Sequence, residues 1–260
     1  MLIGISAVIA ALAVTAAGID FGTSVYAEYQ LSRAVRRATD LGSDPFVAIL
    51  GFPFIPQARR DHYDEVEIKA PAVEQPEIGK AMLEATMHSV DLSEASWRFR
   101  PGAQIPVAKL ESRIIIGSVH LGRYLGIRDL MVEAPPNETN DATGGTTESG
   151  ISSSHGLVFT GTPAGFGKRV SVAVDLSVDG ADHATLVITP TGVLTGPDTA
   201  DQDVPDDQTA AVISAFQGRL PQQRLPFGLA PTSQGARGSD VIIEGIADDM
   251  TVTLPEFRQR

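Results

Sequence analysis

Residues 1–19 carry no charge at all; nine large apolar side chains, six Ala, two Gly, Ser6 and Thr15 fill the stretch. As a helix it would be about 28 Å long at roughly 1.5 Å per residue, close to the ~30 Å hydrocarbon layer of a bilayer. A helix that is apolar on every side needs either a fully enclosed core site or a membrane. An export signal or anchor over residues 1–22 is therefore expected, followed by one domain over residues 23–260. Val25-Tyr26-Ala27 offers small or β-branched residues where a signal peptidase reads, so cleavage after Ala27 and retention as an anchor both stay open.

Residues 23–40 continue as a helix with Tyr26, Tyr29, Ala34, Val35 and Ala38 on one side and Arg33, Arg36 and Arg37 on the other. The basic side is either a solvated face or a contact with anionic headgroups at the membrane surface. Taken alone, these arginines would keep the domain cytoplasmic by the positive-inside rule. Long folded domains translocate regardless of flanking charge, and the expectation is the extracytoplasmic, periplasmic side.

The net charge is −12, but it is unevenly spread. Residues 134–156 contribute −3 and residues 196–208 contribute −5, with no Lys or Arg in either, which leaves −4 elsewhere. A nearly neutral body lacks the clustered cations that nucleic acid requires, so no nucleic-acid partner is expected. The absence of Cys removes disulfides, thiolate nucleophiles and cysteine-ligated metals.

Downstream the pattern is β-dominated. Val170, Val172, Val174, Leu176 and Val178 alternate with Ser171, Ala173, Asp175, Ser177 and Asp179, the period of a half-buried strand. A turn at residues 179–182 returns it as a strand over 184–190, with 157–160 pairing on the other side. Further strands are expected at 46–50, 63–70, 82–92, 127–133, 241–246 and 250–254. Short helices are expected at 118–125, stopped by Gly126, and from Asp206 or Asp207 to about Leu220. Residues 134–156 read as a flexible insertion and 196–208 as an acidic loop. The fold class is α+β.

Catalytic motifs are missing. His62, His88, His120, His155 and His183 show no ligand spacing, and residues 161–169 lack the Gly and Ser/Thr of a phosphate loop. No G-x-S-x-G elbow is present. No catalytic residue, metal or cofactor is expected.

Two segments stand out: Gly51-Phe52-Pro53-Phe54-Ile55-Pro56-Gln57, followed by Tyr63-Asp64-Glu65-Val66, and Arg224-Leu225-Pro226-Phe227-Gly228-Leu229-Ala230-Pro231, followed by Asp240-Val241-Ile242-Ile243-Glu244-Gly245. With the apolar N-terminus, they make the chain resemble the LmeA-like phospholipid-binding family of actinobacterial cell envelopes. The resemblance implies an exported, membrane-associated, non-enzymatic protein that binds phosphatidylinositol-type lipids and supports lipoglycan (mannan) biosynthesis. It also implies a long, curved antiparallel sheet wrapped around a helix, as in tubular lipid-binding proteins.

The residues themselves admit two readings of these segments. Each either plugs the end of an ordinary core or forms the mouth of an acyl-chain site, where every buried methylene adds about 0.8 kcal/mol. On the second reading Phe52, Phe54, Ile55, Tyr63, Leu225, Phe227 and Leu229 contact lipid, and Arg59, Arg60, Arg219 and Arg224 meet its phosphate. The alternative function is a membrane-anchored scaffold for envelope-synthesis proteins that carries no lipid.

Overall fold

The structure is a computed structural model that describes residues 2–93, 102–135, 150–180 and 183–258. Most of the expected insertion, residues 136–149 with the glycosylation-acceptor pattern Asn137-Glu138-Thr139, and two turn residues, Ala181 and Asp182, lie outside the described residues.

The first element is a single helix, α1 (Leu2–Thr39), unbroken across Ala27. An Ala-rich sequence favours it, and Arg36 and Arg37 in the last turn complement its dipole. It is long and apolar enough to cross a membrane: an 18-residue window within Ile9–Thr39 has a mean hydropathy of 1.4. Strands follow: β1 (Phe46–Leu50), β2 (His62–Gln75), β3 (Gly79–Asp91), β4 (Ile105–Gly117), β5 (Met131–Glu133), β6 (Leu157–Gly161), β7 (Val170–Asp179), β8 (Thr185–Leu194), β9 (Gly218–Leu220), β10 (Ser233–Arg237) and β11 (Asp240–Val252). Short helices α2 (Phe54–Arg59), α3 (Ser118–Leu125) and α4 (Asp206–Ala215) are interspersed. The strands form two open sheets, ordered β1-β2-β3-β4-β11-β10 and β5-β6-β7-β8-β9, so the α+β expectation holds.

The chain divides into two compact units. The first comprises Met1–Ala70, Glu84–Glu111 and Ala247–Arg260. Within it, Leu31, Ala34 and Val35 form the buried stripe of α1, at helical spacing, facing β1, α2 and the 3-10 turn Leu254–Phe257. Polar links reinforce the packing: Ser32 Oγ donates to the Pro45 carbonyl (2.6 Å) and Glu28 Oε1 accepts the Ile49 N–H (2.9 Å). Strand β1 runs antiparallel to β2, with Phe46 opposite Lys69 and Leu50 opposite Glu65.

The second unit comprises Pro71–Leu83 and Ser112–Ile246. Its five-stranded sheet is antiparallel throughout, and β7 and β8 pair from Asp179↔Thr185 to Ser171↔Leu194, as the alternation foretells. Val170, Val172, Val174 and Leu176 are buried. An ion pair also sits in the interior: Arg113 Nε donates to Glu244 Oε2 at 2.6 Å, with the side chains 11% and 1% exposed.

Several expectations need correction. The helix from Asp206 stops at Ala215, and Gly218–Leu220 is a strand, so Leu220 belongs to a sheet. The two closing strands are one, β11, which passes through Asp249 at φ 51° and ends at Val252 before a 3-10 turn. The strand expected from Ile127 begins at Met131, because the Ile127 N–H bonds back to the Gly122 carbonyl (2.7 Å) and closes the end of α3. The segment around Pro53 is partly helical, with Pro53 as N-cap of α2. Strand β4 escaped the pattern because both faces are buried from Ser112 to Ile116, which erases alternation.

Candidate functional site

In the first unit the Gly51–Gln57 segment is built around polar ties. Asp20 of α1 is buried, and its Oδ2 and Oδ1 accept the N–H groups of Phe54 and Ile55, both at 2.8 Å. These are among the orphan donors at the start of α2. Gln57 closes the other side: its Nε2 donates to the Gly51 carbonyl and its Oε1 accepts the Asp64 N–H, each at 2.9 Å. Gly51, at φ 101°, is required here, because a Cβ would stand 2.7 Å from Gln57 Nε2.

The four predicted lipid contacts in this unit separate. Phe54 and Tyr63 are buried and stack with ring centroids 5.9 Å apart, Ile55 is half-buried, and Phe52 points outward, 78% exposed. Burial, and then the charge of Asp61, pushes the Tyr63 hydroxyl above its ordinary range. Arg59 and Arg60 are exposed on and just after α2, with Arg60 Nε donating to the Pro56 carbonyl. On α1, Arg33 lies over the Tyr29 ring, Arg36 pairs with Asp44 at 3.2 Å, and Arg37 donates to the Arg33 carbonyl; all three arginines are exposed.

In the second unit Leu225, Phe227 and Leu229 come together and are all buried. Phe227 occupies a left-handed conformation, φ 58°, within the turn Pro226–Gly228. Gly245 of β11 makes room for the residues flanking that turn: a Cβ there would meet the Ala230 carbonyl at 2.5 Å and Leu225 Cδ1 at 2.7 Å. Of the predicted headgroup residues, Arg219 pairs with Asp179 at 3.0 Å, and Arg224 is exposed.

Sequence reasoning missed a second cationic site. A solvent-open concavity of about 640 Å³ is lined by Val119, Arg123, Gly126 and Arg128. That volume falls in the range of small-molecule pockets, roughly 300–1,000 Å³. Its wall is set by α3 and the tight turn behind it. Gly126 takes the left-handed C-cap, and a Cβ at Gly122 would collide with the Ile127 carbonyl and Leu130. Neither Arg123 nor Arg128 has an ion-pair partner among the described residues. The neighbouring Asp129 is engaged elsewhere: its oxygens accept the Thr162 N–H (2.7 Å) and hydroxyl (2.9 Å), and Arg169 lies 3.8 Å away. Burial works against ionisation of Asp129, but the two Thr162 bonds and Arg169 outweigh it and hold the carboxyl below its ordinary range. Two unpaired guanidiniums beside an exposed valine can bind a phosphate carried on an apolar body.

The nearest gathering of titratable groups elsewhere is His88, with Nδ1 3.7 Å from Glu65 and Nε2 3.5 Å from Glu111. Glu111 is also bound by Lys109 at 2.8 Å, which makes this a charge ladder across neighbouring strands. No curated protein and no solved structure matches the chain. The model of the LmeA-like phospholipid-binding family does match, over residues 18–246, and the chain belongs to that family.

Proposed function

We propose that this protein is a non-catalytic, membrane-anchored carrier or sensor of phosphatidylinositol-type phospholipids. It works on the extracytoplasmic side of the cell membrane in support of envelope lipid or lipoglycan (mannan) biosynthesis, beside the proteins that carry out that synthesis. The observation that carries the reading is the concavity flanked by Arg123 and Arg128, two unpaired cations in a chain of a phospholipid-binding family. The phosphodiester meets these guanidiniums. Further headgroup contacts are proposed within each unit separately: Arg224 and Arg219 in the second, where Arg219 must leave Asp179, and Arg59 and Arg60 in the first. Acyl-chain contacts are proposed within each unit separately: Leu225, Phe227 and Leu229 in the second, and Phe54, Ile55 and Tyr63 in the first. Arg33, Arg36 and Arg37 face anionic headgroups of the membrane itself.

The test is mass spectrometry of lipid extracted from the full chain purified from membranes, compared with the bulk membrane lipid. Phosphatidylinositol enrichment is expected, and Arg123→Glu with Arg128→Glu should lower retention about ten-fold or more, since charge-assisted bonds contribute roughly 1.5–3 kcal/mol each. Bulk-like lipid composition, or retention unchanged by the double substitution, would sink the headgroup assignment. A chain with no lipid that recovers a stoichiometric protein partner would put the scaffold reading in its place.

A further inference from the structure

We propose that loop 51–53 is a membrane-docking wedge: Phe52 enters the bilayer surface at the level where α1 leaves it, and Asp20 locks that loop to the helix. The wedge lies within the first unit and does not depend on lipid carriage; a chain that holds no extractable phospholipid would still dock.

Asp20 is the first charged residue in the chain. Residues 2–19 rise about 27 Å as a helix, against a hydrocarbon layer of ~30 Å, which places Asp20 at the edge of that layer. On either side of it Ile19 and Phe21 are exposed, yet Asp20 itself is buried against the start of α2. A carboxylate at that depth needs partners, and the Phe54 and Ile55 N–H groups supply them. Phe52 is two residues from Phe54, so their Cα atoms are at most about 8 Å apart. The interfacial zone beside the hydrocarbon is itself about 5–8 Å deep on each side, and Phe52 falls within it.

The outward side chain of Phe52 fits that address: an exposed aromatic ring is costly in water and favourable at a lipid interface, where such rings collect. Nearby charges balance: Arg59 and Arg60 stand against Asp61 and Asp64. The insertion is therefore driven by apolar contact and does not require anionic lipid.

The geometry also provides an internal control. Asp44 pairs with Arg36, sixteen residues beyond Asp20 on the same helix, or about 24 Å further along it. The chain has no cysteine, so Phe52→Cys and Asp44→Cys each create a single labelling site for an environment-sensitive fluorophore. In the full chain reconstituted into phosphatidylcholine vesicles, the label at 52 should show blue-shifted emission, insensitive to salt and quenched by nitroxide lipid. The label at 44 should remain water-like and accessible to iodide. Asp20→Ala should lose much of the quenching at 52 while the chain stays with the vesicles through α1, and Asp20→Asn, which keeps one acceptor oxygen, should fall between.

Water-like emission at 52 equal to that at 44 overturns the wedge. Quenching that saturates at a single nitroxide lipid per chain assigns Phe52 to a carried lipid and overturns it too. Quenching at 52 that survives Asp20→Ala in a folded chain removes the lock. Should Asp20→Ala fail to fold, the comparison of positions 52 and 44 in the otherwise unaltered chain still decides the wedge.

Discussion

The segments around Phe52 and Phe227 have the same ingredients, a phenylalanine beside proline and glycine with leucine or isoleucine close by. Phe52 nonetheless ends 78% exposed and Phe227 6% exposed. The difference lies in the backbone and in what faces it. Phe227 is buried at φ 58° in a turn whose flanking residues, Leu225, Leu229 and Ala230, close over Gly245, whereas Phe52 lies between a β-strand end and a helix cap whose polar groups are already satisfied. Apolar composition marks a segment as unusual. The direction it faces depends on room made elsewhere in the chain.

That contrast can be broken at the buried end first. Phe227→Ala should cost about 3–5 kcal/mol of stability, read by denaturant unfolding, and Phe227→Asp should prevent folding. Phe54→Asp should also destabilise strongly, since its ring is packed on Tyr63. Stability left intact with lipid retention lost would instead mark Phe54 and Phe227 as the open mouth of an acyl site. Gly245→Ala should cost about 1–3 kcal/mol by crowding Leu225 and the Ala230 carbonyl, measured the same way.

A smaller effect tests a segment held by hydrogen bonds instead of burial. The Asp129 carboxyl titrates below its unfolded value, so its contribution is present above about pH 4 and is lost as acid protonates it. Unfolding midpoints measured from pH 6 to pH 3 should fall less steeply in Asp129→Asn than in the parent chain. Least of all, Phe52→Ser should change stability by no more than about 0.5 kcal/mol, because the ring touches mostly solvent. A melting-temperature drop as large as that of Phe227→Ala would erase the distinction between the two segments.

Much of the architecture was readable from periodicity. The uncharged run predicts α1, and the valine alternation predicts β7 and its hairpin, because each has only one structural solution. Strand β4 was not readable, since Arg113 and Ser112 are buried among isoleucines and the charge is answered by Glu244, 131 residues away. The pattern extends the helix to about Leu220 because the chain after Asp206 contains no Pro or Gly signal until Gly218. The cationic concavity was invisible for a different reason. Whether an arginine is paired depends on distant carboxylates: Arg219 has Asp179 and Arg169 has Asp129, while Arg123 and Arg128 have neither. Sequence spacing alone ranks all four alike.

The unbroken course of α1 has a mechanical consequence. Its 38 residues run about 57 Å as one rod, and the first unit is pinned to that rod through Asp20, Glu28 and Ser32 in succession. A hinge would let the first unit swivel about the helix, but a rod gripped at three heights does not. With α1 retained as an anchor, a bilayer thickness that changes the inclination of the helix would tilt the first unit by the same angle, converting membrane thickness into orientation.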